Sequence, residues 1–482
     1  MSVGIGSFSD PLEAQGLSHF LEHMLFMGSE KYPTENDYDT FLTKHGGCSN
    51  AFTEAENTCY HFDVQPNSLH DALDRFAQFF ISPLVLEGAM EREVQAVHSE
   101  FEQVLQSDGC RLMQVQCVTA KEGHPWRIFS WGNQKSLVEL PKAANVETRP
   151  LLLDYYKTHY KAEQMSLVVL GGESLDTLQG WVGELFSGVQ SGGKERLDFA
   201  PHGAPFGGEG MLYRLPAVKE AHELHLCFPL PSLFEHYKRK PDEYISHLIG
   251  HEGSGSLLSA LKEKGWATKL SAGVSDSGHE KSSASWLFGI SITLTEAGLE
   301  RMYDVAGLLF QYVAMLKADG PQEWVFREIA ATKDMEFQFL EEEEADEYTV
   351  RLASRMHLVA PKDILVGEYL MTDWDPALIT ATLSCFSPDT VRLDLLTSTF
   401  ELGSAGKEVE TEPWFQVPFT RERIPQELLE AWRNPQVDPT LRLPPQNEYI
   451  PHNLSIRKDP SKVPEAEAGG NGGNGASADG EA

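Results

Sequence analysis

The sequence predicts an α+β fold of two tandem α/β-roll units, each a mostly antiparallel sheet packed with long helices. Three observations predict it. A chain of 482 residues exceeds one ordinary core and suits two units of about 200 residues plus a tail. Strand-like runs and long amphipathic helices recur in a similar order in each half, which argues against a parallel doubly wound sheet. A Gly- and Ser-rich break, Ser187–Arg196, lies between the halves. The expected divisions are residues 1–195, a linker 196–212, a second unit 213–455, and a disordered, acidic, Gly-rich tail 456–482.

Along the first half, Val3–Ser7 reads as the tail of a strand; without neighbouring strands a sheet edge would be exposed and the first core underfilled. Asp10 can cap a helix that Pro11 opens, and Gln15–Met27 then runs at helical spacing until Gly28. A turn at 44–47 leads into extended residues Ser49–Thr53, and Thr58–Val64 alternates like a strand. Leu69–Phe80 carries an apolar helical stripe, and Glu87–Leu105 is a longer helix. Met165–Gly171 reads as a buried strand, followed by a helix at Asp176–Phe186. In the second half, Ala221–Pro229 and Trp286–Leu294 read as strands. Helices are expected at Glu243–His251, Ser256–Lys264, Glu296–Leu316 and Glu323–Glu341. The acidic run Glu341–Glu344, with Asp346 and Glu347, reads as a solvated helix end.

Composition narrows the function. Apolar residues make up 41% and aromatics 10%, which are globular values. With 39 basic against 72 acidic residues, the formal charge of −33 repels nucleic acid and anionic membranes and favours cationic peptides. Simple solubility explains the charge about as well. Six scattered cysteines without a CxxC pair suit free thiols in a reducing compartment. No apolar run reaches the roughly 20 residues of a membrane helix. The start has neither a basic leader nor an apolar signal core, so the expected location is cytoplasmic.

The chemistry concentrates in His19-Phe20-Leu21-Glu22-His23. His19 and His23 lie one helical turn apart, so both imidazoles can leave the same face and hold a zinc ion. Glu22 is within a turn of His19 and could take a proton from an attacking water. The order H-x-x-E-H is the inverse of the commoner zinc motif. On the helix 87–105, Glu93 and Glu100 are seven apart and share a face. One can complete the ligand set while the other hydrogen-bonds a zinc histidine, and spacing does not say which. His247 and His251 form a second pair a turn apart, but Gly250 weakens that helix. His222 and His225 differ in facing along a strand and read as ordinary strand residues. No GxSxG and no Walker loop is present, so serine-hydrolase and nucleotide readings have no support.

The run Gly16-Leu-Ser-His-Phe-Leu-Glu-His-Met-Leu-Phe-Met-Gly-Ser closely resembles the pitrilysin/insulinase family, in its insulysin and nardilysin branch. Further matches are His45-Gly-Gly-Cys-Ser-Asn-Ala-Phe-Thr, Arg92-Glu-Val-Gln-Ala-Val-His-Ser-Glu, Gly250-His-Glu-Gly-Ser-Gly-Ser-Leu-Leu and Leu443-Pro-Pro-Gln-Asn-Glu-Tyr-Ile-Pro. They cover about residues 1–452 and correspond to the amino-terminal half of an insulysin-type enzyme, with nardilysin the next model. The resemblance implies a zinc endopeptidase acting on short or unfolded peptides, with one zinc per chain. It makes His19, His23 and Glu100 the metal ligands, Glu22 the general base, and Glu93 the acid that orients a histidine ligand. It makes Ser49, Asn50, Ala51, Phe52 and Thr53 the substrate-binding edge strand. Leu270, Ser271, Ala272, Gly273 and Val274 align with an exosite strand that anchors a substrate's amino terminus.

Some positions depart from the pattern. Ala272 stands where glycine is usual, and His98 where an acidic residue is common. Relatives carry residues ahead of the point matching Met1 and two further domains that close over the substrate. The expectation is therefore a zinc endopeptidase, alone or paired with a carboxy-terminal-half chain or a second copy. Its alternative is a non-catalytic, zinc-binding peptide-binding or regulatory fragment.

Overall fold

In the computed structural model, which describes residues 1–192, 197–207, 210–400, 408–451 and 453–455, the strands form two sheets. The first contains β1 (Ser2–Val3), β2 (Ser49–Thr53), β3 (Thr58–Phe62) and β4 (Met165–Ser166), in the order β2-β3-β1-β4. All its pairs are antiparallel. The second contains β5 (Met211–Pro216), β6 (His222–Leu230), β7 (Ala267–Gly273), β8 (Trp286–Leu294), β9 (Arg392–Thr397), β10 (Glu410–Thr411) and β11 (Pro418–Arg423). Its order is β10-β11-β5-β9-β6-β8-β7, antiparallel except for the parallel pair β5–β9. The fold is therefore α+β with mostly antiparallel sheets, as the alternation of elements predicts.

Five helices of the first half matter for the site: α1 (Leu17–Leu25), α2 (Asp37–Lys44), α3 (Leu69–Ile81), α4 (Glu87–Val104) and α5 (Asp108–Thr119). Helix α1 starts later than the sequence suggests. Asp10 does cap it, but from a distance: its carboxylate accepts the Gly16 and Ser18 amides at 2.8 and 2.9 Å. The residues between form turns, because Gly16 takes a left-handed φ of 86° to enter the helix. A Cβ on Gly16 would sit 2.2 Å from Gly132 Cα, so only glycine allows this close approach of two backbones.

Two strand expectations change in the first sheet. Ladder pairing at the amino end covers only Ser2–Val3. Ser7–Ser9 forms a 3-10 turn, with the Ser7 and Phe8 amides bonded to Glu54 and Ala55 carbonyls. Nor is β1 an exposed edge: it lies between β3 and β4, and Met1, Val3 and Ile5 are buried. The expected buried strand Met165–Gly171 shrinks to two paired residues, because β1 offers only two to pair with. Leu170 is 51% exposed.

The first core gathers Phe20, Leu21, Tyr60, Phe76 and Phe80 beneath α1 and α3. The larger second core lies under the seven-stranded sheet and the helix Met302–Asp319. Helix Glu296–Leu316, expected as one, is broken at Arg301. The halves join through ring contacts: Phe129 stacks on Trp414 at 4.2 Å, and Trp126 packs edge-on to His279 at 5.9 Å. Polar ties reinforce them. The Glu54 and Glu56 carboxylates accept the Gly278 and Ser283 amides at 2.8 and 2.5 Å.

The acidic run lies at the start of a helix and is largely solvated: Glu341, Glu342, Glu344 and Glu347 are exposed, with Asp346 and Glu347 in the first helical turn. Residues 341–344 precede helix Ala345–Arg355, and two carboxylates are paired, Glu343 with Arg351 at 2.6 Å and Asp346 with His61 at 3.5 Å. All six cysteines are free. Met1–Pro445 forms one compact unit, and Gln446–Ala482 is assigned to a second, of which residues 446–451 and 453–455 are described. The tail expected to be disordered, 456–482, lies outside the described residues. Among those residues, no helix is long and apolar enough to cross a membrane.

Candidate metal centre

Helices α1 and α4 pack face to face, and His19, His23 and Glu100 meet at their contact. The Glu100 Oε2 atom stands 3.4 Å from His19 Nε2 and 3.5 Å from His23 Nε2. The imidazoles are 4.9 Å apart, ring to ring. Zinc bonds of roughly 2.0–2.1 Å would set tetrahedral ligand atoms roughly 3.3 Å apart, so these donors fit that ion. Among the described residues this is the only group of three or more ligating side chains placed to share a metal.

The remaining ring nitrogens are engaged. His19 Nδ1 lies 2.6 Å from the Trp131 carbonyl, and His23 Nδ1 lies 3.2 Å from Glu93 Oε2. Both contacts favour a proton on Nδ1 and leave Nε2 as the free donor. The Gly16–Gly132 approach brings the Trp131 carbonyl to His19. Spacing alone left Glu93 and Glu100 interchangeable. In the fold, Glu100 joins the Nε2 atoms and Glu93 reaches only the back of His23.

Electrostatics follow the geometry. Burial opposes a charge on His23, but Glu100 and Glu93 override it and hold its pKa at about 9. Hydrogen bonds to His19 and His23 keep the Glu100 carboxyl far below the usual carboxylate range. Burial pushes Glu22 up, against the lowering effect of the histidines and of Thr53, whose hydroxyl donates to Glu22 Oε2 at 2.6 Å. A buried carboxyl whose pKa is raised holds a proton more readily than an exposed one.

The group opens into a cleft of about 700 Å³ lined by His19, Glu22, His23, Glu93, Glu100 and all five residues of β2. Since β2 is the outermost strand, its free edge can accept an extended peptide. Asp39, Met113, Trp131 and His279 also line this cleft. No local signal in the sequence marked them, because each arrives from a different element. Residues 270–274 lie elsewhere. Leu270 is buried in the second core, Leu270–Gly273 belong to edge strand β7, and Val274 follows its end. Ala272, Gly273 and Val274 line a neighbouring cavity of about 780 Å³, which also meets Phe52 and Glu54. The Ala272 carbonyl accepts the Ser246 hydroxyl at 2.6 Å.

The other histidine pairs form no such group. His247 and His251 rings are 6.2 Å apart. His222 bonds Thr397 and Glu296, while His225 pairs with Glu223. His98 lies 3.8 Å from Glu102.

Three family models match the chain. Residues 1–121 match the insulinase model (peptidase family M16), 147–333 its inactive domain, and 337–468 its middle or third domain. A nardilysin-like protein of Arabidopsis thaliana is 48% identical over 464 residues, which is 96% of this chain and 45% of that one. Insulin-degrading enzyme of Bos taurus is 41% identical over 96% of this chain and 45% of its own length. Human nardilysin is 41% identical over 95% of this chain and 40% of its own. The crystal structure of pitrilysin superposes with a TM-score of 0.86 at 26% identity, covering 95% of this chain and 48% of that one. A Helicobacter pylori protease shares the fold, with a TM-score of 0.63 at 16% identity over 82% of this chain and 92% of that one. Fold and relatives thus place the chain in a family of peptidases. The chain belongs to the insulinase family, peptidase family M16. It spans about half the length of the curated relatives it matches.

Proposed function

We propose that this chain holds one zinc ion through His19, His23 and Glu100 and hydrolyses peptide bonds, with Glu22 as the general base. The observation that carries the reading is the convergence of both Nε2 atoms on one Glu100 oxygen at 3.4 and 3.5 Å. Zinc, when bound, supplies positive charge that acidifies water and polarises a carbonyl. The chain's own residues do the rest. Glu93 and the Trp131 carbonyl orient the histidines. Strand β2 takes the substrate as an added strand through main-chain hydrogen bonds, so varied sequences fit. Glu22 accepts the water's proton and returns it to the leaving amine, a task its raised pKa favours.

Unfolded or short peptides are the expected substrates, because only an extended segment can pair with an edge strand. The charge of −33, with Asp39 and Glu54 in the cleft, favours basic ones. Residues 1–195 are read as the catalytic unit and 213–455 as its non-catalytic counterpart, whose strand 270–274 serves as the exosite. In the alternative reading, turnover needs a carboxy-terminal-half chain, a second copy or another closing partner. Six free thiols favour a reducing compartment such as the cytoplasm, although one relative, insulin-degrading enzyme-like 1 of Arabidopsis thaliana, is named as peroxisomal.

The test is hydrolysis of a quenched fluorescent peptide by the purified chain, with metal content measured alongside. Cleavage stopped by a chelator and restored by zinc supports the peptidase reading. One zinc per chain without cleavage would favour the alternative, a peptide-binding fragment that needs its closing half. No zinc bound at all would refute both.

A further inference from the structure

We propose that Thr53 is a positioning residue that fixes the general base and ties it to the strand on which a peptide docks; this rests on the peptidase reading above. The Thr53 hydroxyl donates to Glu22 Oε2 at 2.6 Å, the only hydrogen bond that Glu22's carboxylate receives among the described residues. The direction of that bond is set by its neighbours. Thr53 Oγ1 lies 3.4 Å from Thr58 Oγ1, but the Thr58 hydroxyl gives its proton to the Ile5 carbonyl at 2.9 Å. The ionised Glu22 can only accept, so Thr53's proton goes to Glu22.

Glu22 is 6% exposed, and a carboxylate so buried depends on its one donor for orientation. With Oε2 engaged by Thr53, Oε1 is the oxygen left to take a proton. Thr53 itself is held by the ladder, opposite Thr58 at the end of β2. A peptide added along the free edge of β2 orders that strand and, through Thr53, the base. Docking and proton transfer thus share one side chain.

The zinc-loaded full chain and its Thr53→Val and Thr53→Ser variants test this. Valine matches threonine in shape and favours strands, so the ladder survives. The whole contribution of a general base is about 10²–10⁴-fold, and misorienting it should remove part of that. The expected result for Thr53→Val is an unchanged zinc content, KM within about 2-fold, and kcat lower by about 10–100-fold. Thr53→Ser should recover most of kcat. In a crystal structure of metal-free Thr53→Val, the Glu22 carboxylate should have rotated from its present place. A parental kcat in Thr53→Val, a loss seen in KM alone, or no rescue by serine would overturn the proposal. If the parent binds zinc but cleaves nothing, the peptidase reading fails separately. The position of Glu22 in the Thr53→Val crystal then decides Thr53's role, and an unmoved carboxylate refutes it.

Discussion

Replacing Glu93 by glutamine should weaken zinc binding without touching a ligand. Glu93 Oε2 lies 3.2 Å from His23 Nδ1, with both side chains 16% exposed, so solvent screens the pair only in part. Among the described residues His23 Nδ1 has no other hydrogen-bond partner. Glutamine keeps the volume and can still accept a hydrogen bond, so the change removes mainly the charge that makes His23 a better donor to the metal. Loss of such a partner typically costs about 10–100-fold in metal affinity, or about 1.4–2.8 kcal/mol. Competition against a chromophoric chelator at fixed pH measures it directly, whether or not the chain cleaves peptides. Glu91→Gln, at an exposed position on the same helix, is the control and should bind as the parent does. Parental affinity in Glu93→Gln, or an equal loss in Glu91→Gln, would refute the assigned role.

Two further predictions follow from the same geometry and from one buried ring. Glu22→Gln should keep one zinc per chain and abolish cleavage, whereas His19→Ala should lose both; retained cleavage in Glu22→Gln would remove the general base from the account. His279 is buried against Phe8 and Trp126, and burial lowers its pKa to about 4. The unfolded chain therefore takes up a proton below about pH 6.5 that the folded chain refuses until about pH 4. Stability from this residue is full above pH 6.5 and falls on acidification, by about 3 kcal/mol at pH 4. Thermal unfolding of His279→Phe should show a shallower decline than the parent over that range, and identical slopes would contradict it.

The elements legible in the sequence were those with a strong period and a clean stop. Trp286–Leu294 alternates and pairs over that whole length, and the helix read as Leu69–Phe80 ends one residue later. Strand β9 was not legible, because Arg392 and Asp394 interrupt its apolar run. The two charges pair with each other at 2.8 Å, so a fully buried strand carries polar letters. Helices α2 and α5 were missed for a related reason: each buries only a few side chains, leaving a weak periodic signal. The residues of the candidate metal centre were legible as a motif and a spacing. What supports them was not. Trp131 is 112 positions from His19, and its contribution is a backbone carbonyl, which no side-chain pattern can announce. Thr53 stood out only as part of a strand, since its bond to Glu22 exists once β2 lies beside α1.

Anomalous diffraction at the zinc edge, from crystals of the chain grown with one equivalent of zinc, shows whether His19, His23 and Glu100 hold the metal. A single strong peak is expected at bonding distance from His19 Nε2, His23 Nε2 and Glu100 Oε2, lost in His19→Ala. A peak elsewhere, such as beside His247 and His251, or none at this site under saturating zinc, would contradict it.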